Sequence, residues 1–191
     1  MTWLLWGALQ GGVLLLLGIA VLELEVVFGH PFLQPSLRWF ANVFAGIAAL
    51  PVLAGIFVHW RLVRGEPGES HRSVQRIRKL LVDANSSSDP DGDAIAVAVA
   101  LDNGFRGASL LSWAMGEGGA LLCAISFLLC GFQPAPVTVL ALWYASMLIA
   151  APTRALVTSY GVTRLRVAGL TEEQARTLLA RADELARTAS L

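Results

Sequence analysis

The sequence predicts an all-α polytopic membrane protein, with four transmembrane helices and two cytoplasmic amphipathic helices. Three observations carry that expectation. Of the 191 residues, 55% are apolar and only 15% charged, against about 25% charged in an average soluble domain. The charges are also segregated, since Glu23, Glu25 and Arg38 are the only ones before Arg61 and Glu117 is the only one between Gly107 and Thr153. Finally, the apolar stretches have the length of bilayer-spanning helices, about 20 residues each.

The first window, residues 3–22, contains one strongly polar side chain, Gln10. It lacks the positive leading segment of a secretory signal, and the apolar run continues beyond it, so it is expected to remain as a membrane helix. Glu23 and Glu25 follow at its outer end as solvated rim residues. The second window, residues 39–60, contains Pro51, which removes one backbone donor and predicts a kink. Two further helices are expected at about residues 106–132 and 135–151, divided by Pro134 and Pro136. The chain thus divides into a first helix pair at 1–64, a loop at 65–105, a second pair at 106–160 and a C-terminal helix at 161–191.

Orientation follows from the basic side chains. Of the 14, Arg38 alone lies between the first two spans, none lies between the last two, and 13 lie from Arg61 onward on the other side. By the positive-inside rule both termini and the central loop are cytoplasmic. Trp3, Trp6, Trp39 and Trp60 fit interfacial belts, whereas Trp113 and Trp143 fall deeper, as helix-packing residues.

Within the central loop, Val74, Ile77, Leu80 and Leu81 recur with helical spacing and leave Arg72, Arg76, Arg78 and Lys79 largely on other faces. Such a helix either lies on anionic headgroups or packs on the rest of the protein. The following NSSSDPDGDA has calcium-loop spacing from Ser87 to Asp93, but Ala98 stands where the bidentate Glu belongs. It is read as a polar turn with Asp93 as an N-cap. Near the C-terminus, Thr171 and Gln174 have capping-box spacing. Glu172 with Arg176 and Asp183 with Arg187 are i,i+4 pairs. Leu178, Leu179, Ala182, Leu185 and Ala186 form an apolar stripe that membrane, the basic helix or another copy would cover.

Zero net charge selects no nucleic-acid partner. Cys123 and Cys130, seven apart with no adjacent His, read as small apolar residues on one helix face rather than metal ligands. His30 and His59 read as interfacial. No hydrolase, zinc-protease or P-loop motif is present, so neither an enzyme nor a cofactor is expected.

Glu117 is the residue with chemical potential. It lies 11 residues after Arg106, about 16 Å along the helix and so near the middle of a ~30 Å hydrocarbon core. Lipid cannot solvate a carboxylate there; the group must be protonated, paired or facing a polar cavity. Ser146 lies at similar depth, with Tyr144 nearby and Gln10 within reach on the first helix. Glu117, Ser146, Gln10 and Tyr144 are therefore the candidate ion-binding set, and Arg72, Arg76, Arg78 and Lys79 the candidate anionic-lipid contacts.

The run SWAMGEGGALLCAISFLLCG, residues 112–131, resembles the carboxylate-bearing helix of the rotary ATPase c subunit (proteolipid) family. The resemblance covers those 20 residues and implies a related hairpin theme with Glu117 as the proton-binding acid. It favours a proton over sodium, because Gly118 stands where sodium-binding members offer Ser or Thr. Two functions are expected from the whole reading. The first is a proton-binding or ion-translocating subunit using Glu117, associated with other membrane subunits or itself; the alternative is a structural or assembly subunit in which Glu117 only fixes helix packing.

Overall fold

The computed structural model describes residues 2–22, 39–85, 89–131 and 133–188; Glu23, Glu25, His30, Arg38 and Ser87 lie outside them. Every regular element among the described residues is helical: α1 (Thr2–Leu22), α2 (Phe40–His59), α3 (Arg72–Asn85), α4 (Pro90–Cys130), α5 (Pro134–Ile149), α6 (Arg154–Val167) and α7 (Glu172–Thr188). Two helical stretches, Phe40–Arg64 and Pro90–Cys130, are long and apolar enough to cross a membrane, and a third is added if α5 and α6 count as one broken span.

α2 runs through Pro51 without ending and continues as a π-helical turn, Trp60–Arg64. The turn closes with Gly65 N–H donating to Trp60 C=O at 2.8 Å.

The third helix begins 16 residues earlier than the hydropathy predicts. Asp89, not Asp93, caps it: its Oδ1 accepts from Gly92 N–H at 3.0 Å, Pro90 supplies a favourable first residue, and Asp91 and Asp93 occupy the first turn, where carboxylates oppose the helix dipole. From there Ala94, Val97, Leu101, Phe105, Ser109, Ser112, Gly116, Ala120, Cys123, Phe127 and Cys130 form one unbroken buried stripe. The helical period persists where the overall hydropathy falls, and the Asp102–Arg106 pair bridges one turn at that boundary. The result is a helix of 41 residues, about 61 Å long and twice the thickness of a hydrocarbon core.

The described chain forms two compact units. The first comprises described residues of Met1–His59 and Ser109–Pro152. Its core joins Val13 of α1, Val52 of α2, Trp113 and Ala120 of α4, and Trp143 and Met147 of α5. Both Trp113 and Trp143 are only 1% exposed, as expected of packing residues. Cys123 and Cys130 are buried free thiols.

The second unit comprises Trp60–Ala108 and Thr153–Leu191. Ile77 of α3, Val97, Leu101 and Phe105 of α4, Leu165 of α6 and Ala175 of α7 share its core. Thr153 caps α6 through Leu156 N–H. At the other end Gly169, at φ +115°, lets Leu170 N–H reach Leu165 C=O and its own N–H reach Arg166 C=O, the paired bonds that end a helix at a left-handed residue. The capping box then starts α7: Thr171 N–H donates to Gln174 Oε1 at 2.9 Å and Gln174 N–H to Thr171 Oγ1 at 3.2 Å. The α7 stripe is covered from within this unit, with Ala175 and Ala182 buried, Leu178 and Leu179 packed on its core, and Ala186 exposed.

Candidate functional site

Small residues on α4 determine what surrounds Glu117. A Cβ placed on Gly119 would stand 2.5 Å from Ala48 C=O and 2.6 Å from the Val52 side chain; one on Gly55 would stand 2.7 Å from Ser112 C=O and 3.0 Å from Gly116 N. α2 and α4 therefore touch through backbone, a contact that only residues lacking a side chain permit. Gly116 likewise meets Trp143 of α5, whose Cδ1 would lie 3.1 Å from an added Cβ.

Glu117 is one residue around the helix from Gly116, and its carboxyl approaches α1 instead. Oε1 lies 3.9 Å from the position a Cβ would occupy on Gly12. The side chain is half-buried. Among the described residues it makes no hydrogen bond or ion pair.

The other members of the candidate set are placed differently. Gln10 is 6% exposed, on the inward stripe of α1 with Trp6, Val13 and Leu17, and neither atom of its amide has a partner among the described residues. Ser146 Oγ donates to Trp143 C=O at 2.7 Å, a bond within its own helix. Tyr144 is 44% exposed, its ring 6.3 Å from that of Trp143. No hydrogen bond joins Glu117 to any of the three. The first unit thus brings α1, with Gln10, and α4, with Glu117, into one packed body, while Ser146 is committed to its backbone and Tyr144 faces outward.

Sequence reasoning missed two features of this unit. The indole N–H groups of Trp113 and Trp143 are buried without partners among the described residues, donors that an apolar reading of tryptophan overlooks. Gly12 was also missed; a glycine in an all-apolar helix carries no signal of what approaches it. Among the described residues no group of three or more His, Cys, Asp or Glu side chains is placed to hold a metal.

In the second unit Arg72, Arg76 and Lys79 of α3 are exposed. Arg78 turns inward, donating to Val167 C=O at 3.0 Å and pairing with Glu69 at 3.5 Å. Val74 and Ile77, the apolar face of α3, are buried against protein. A further cation, not anticipated from the sequence, is Arg164, 3% exposed. It lies 3.3 Å from the centre of the Tyr160 ring and donates to the C=O groups of Leu62 and Tyr160. The Leu62 carbonyl of the α2 continuation, the Tyr160 carbonyl of α6 and an aromatic face take the place of a carboxylate partner, all electrostatically favourable to a guanidinium.

Taken together, these features define a helical protein with two or three segments able to span a membrane. Compared with protein-family models, with curated proteins and with solved structures, the chain matches none.

Proposed function

We propose that this chain is a non-enzymatic, four-span integral membrane protein in which Glu117 binds and releases a proton between α1 and α4. In this reading α1, α2, the second half of α4, and α5 are the spans, and both termini and the central segment are cytoplasmic. The membrane assignment is supported by the exposed stripe that runs along α2 and its flanking residues, where Trp39, Val43, Ile47, Leu50, Leu53, Phe57 and Trp60 are all exposed. From Trp39 to Trp60 is about 32 Å at 1.5 Å per residue, so the tryptophans stand one hydrocarbon thickness apart, where interfacial aromatics belong.

The proton-binding role is carried by one observation. Glu117 is a half-buried carboxyl within an apolar helix segment, and no described residue is bonded to it. A group whose purpose is to fix helices would be expected to hold a partner, and at this level the helices meet through Gly55, Gly116 and Gly119 instead. A sodium or metal ion needs several oxygen ligands, and the Ser146 hydroxyl is already used. A proton needs one oxygen. The pattern also agrees with what the proteolipid resemblance implies.

A hydrophobic carbodiimide tests this reading, because it reacts with the protonated acid. In membranes containing the intact protein, modification at Glu117 should accelerate as the pH falls and vanish in Glu117→Gln, with expression and melting temperature unchanged. Absence of modification at every pH would overturn the proposal. So would full retention of proton-coupled activity in the Gln variant, leaving Glu117 a packing role in a structural or assembly subunit.

A further inference from the structure

α6 and α7 border a groove of about 530 Å³ in the second unit. Three guanidiniums, Arg154, Arg166 and Arg176, border it against one carboxylate, Glu172. Two of the three are already paired: Arg154 with Asp183, which lies outside the groove, and Arg176, through both Nε and Nη2, with the lining Glu172. Arg166 is exposed and, among the described residues, has no carboxylate or carbonyl partner. On the same wall the Thr158 and Ser159 hydroxyls make no hydrogen bond with a described residue.

From these features we infer that the groove binds a phosphate-bearing anion. The guanidinium fork matches the geometry of phosphate oxygens, and the hydroxyls add neutral donors beside it. Fixing Arg154 and Arg176 by ion pairs before binding reduces the side-chain entropy lost when the ligand arrives. Along α6, Arg154 and Arg166 are 12 residues apart, about 18 Å. The groove therefore offers Arg166, the guanidinium without a partner among the described residues, for the phosphate, and length left over for the group that carries it. Arg154 stands five residues after Ile149, the last residue of α5. Under the proposed topology a phospholipid headgroup and a soluble phosphate both have access, and the recognition chemistry is the same.

The test uses the full-length protein in a neutral detergent, with the melting temperature measured against inorganic phosphate, short-chain phosphatidylglycerol and short-chain phosphatidylcholine. Stabilisation by inorganic phosphate assigns the site to a soluble anion; stabilisation by phosphatidylglycerol without inorganic phosphate or phosphatidylcholine assigns it to a lipid headgroup. Either result supports the inference, provided Arg166→Gln weakens the apparent affinity by roughly tenfold, the scale of one charge-assisted hydrogen bond. Arg181→Gln removes the same charge from outside the groove, where Arg181 pairs with Asp91, and should leave the affinity unchanged. The inference is overturned if neither anion stabilises the wild type, if phosphatidylcholine acts as strongly as phosphatidylglycerol, or if Arg166→Gln and Arg181→Gln respond alike.

Discussion

Gly119 shows how much of the first unit depends on atoms that are absent. Its would-be Cβ overlaps both a carbonyl and a methyl group of α2, and neither can move without shifting the helix. Gly119→Ala should therefore destabilise the protein by about 1–3 kcal/mol, the usual cost of overpacking. Gly18→Ala, where nothing lies within 4 Å, should be neutral or slightly stabilising, because it gains helix propensity. Thermal unfolding of the two variants in the same detergent makes the comparison, and equal melting temperatures would refute the backbone contact between α2 and α4. The candidate acid was legible at this scale because a lone carboxylate in an apolar helix is conspicuous. Its neighbours were not, since depth along a helix limits which residues share a level but not which way they face: counting along the helices puts Ser146 and Glu117 at an expected similar depth, yet the hydroxyl is bonded within α5.

α3 separates two meanings of an amphipathic helix. Its spacing fits a helix lying on headgroups and a helix packed on protein equally well, because the apolar face is the same in both. In the fold, Val74 and Ile77 are buried in the second unit and the exposed cations are Arg72, Arg76 and Lys79. Contact of α3 with anionic lipid, if made, would then be through charge alone. Ile77→Ala should lower the stability of the intact protein by about 2–5 kcal/mol, as core truncations do. A helix that buried Ile77 in lipid would show unchanged unfolding and weaker vesicle association. The start of α7 was legible because capping is local chemistry: Thr171 and Gln174 are three residues apart and need only each other. The start of α4 was not, since a helix that leaves an apolar environment keeps its hydrogen bonds and its 3.6-residue period while its composition changes.

For the whole chain, the prediction is one of sides. If residues 61–106 and 154–187 are cytoplasmic, cysteines substituted at Arg76 and Arg181 should be protected from an impermeant thiol reagent in intact cells and become reactive on lysis. A cysteine at Gln133 should react from outside. Cys123 and Cys130 are buried and contribute little background. Equal labelling of positions 133 and 181 from outside would eliminate the four-span arrangement. The 13-to-1 bias of basic residues is the physical basis, since positive loops resist translocation.

The sequence by itself determined that the chain is helical, that it holds two or three apolar segments able to span a membrane, that α7 begins at a capping box, and that Glu117 is the one acid within its apolar stretch. These follow from composition, local spacing and local hydrogen bonding, which involve residues within a few positions of one another. Only the tertiary structure decided that α4 is a single 41-residue helix serving both units, that α3 and α7 cover their apolar faces with protein, that Glu117 approaches Gly12 rather than Ser146, and that Arg164 is buried on Tyr160 against the carbonyl of Leu62. The reason is that each of these depends on which face of one helix meets another. Helical periodicity defines a face but carries no record of its partner, and the choice among lipid, protein and a second copy is made by packing between residues far apart in the chain.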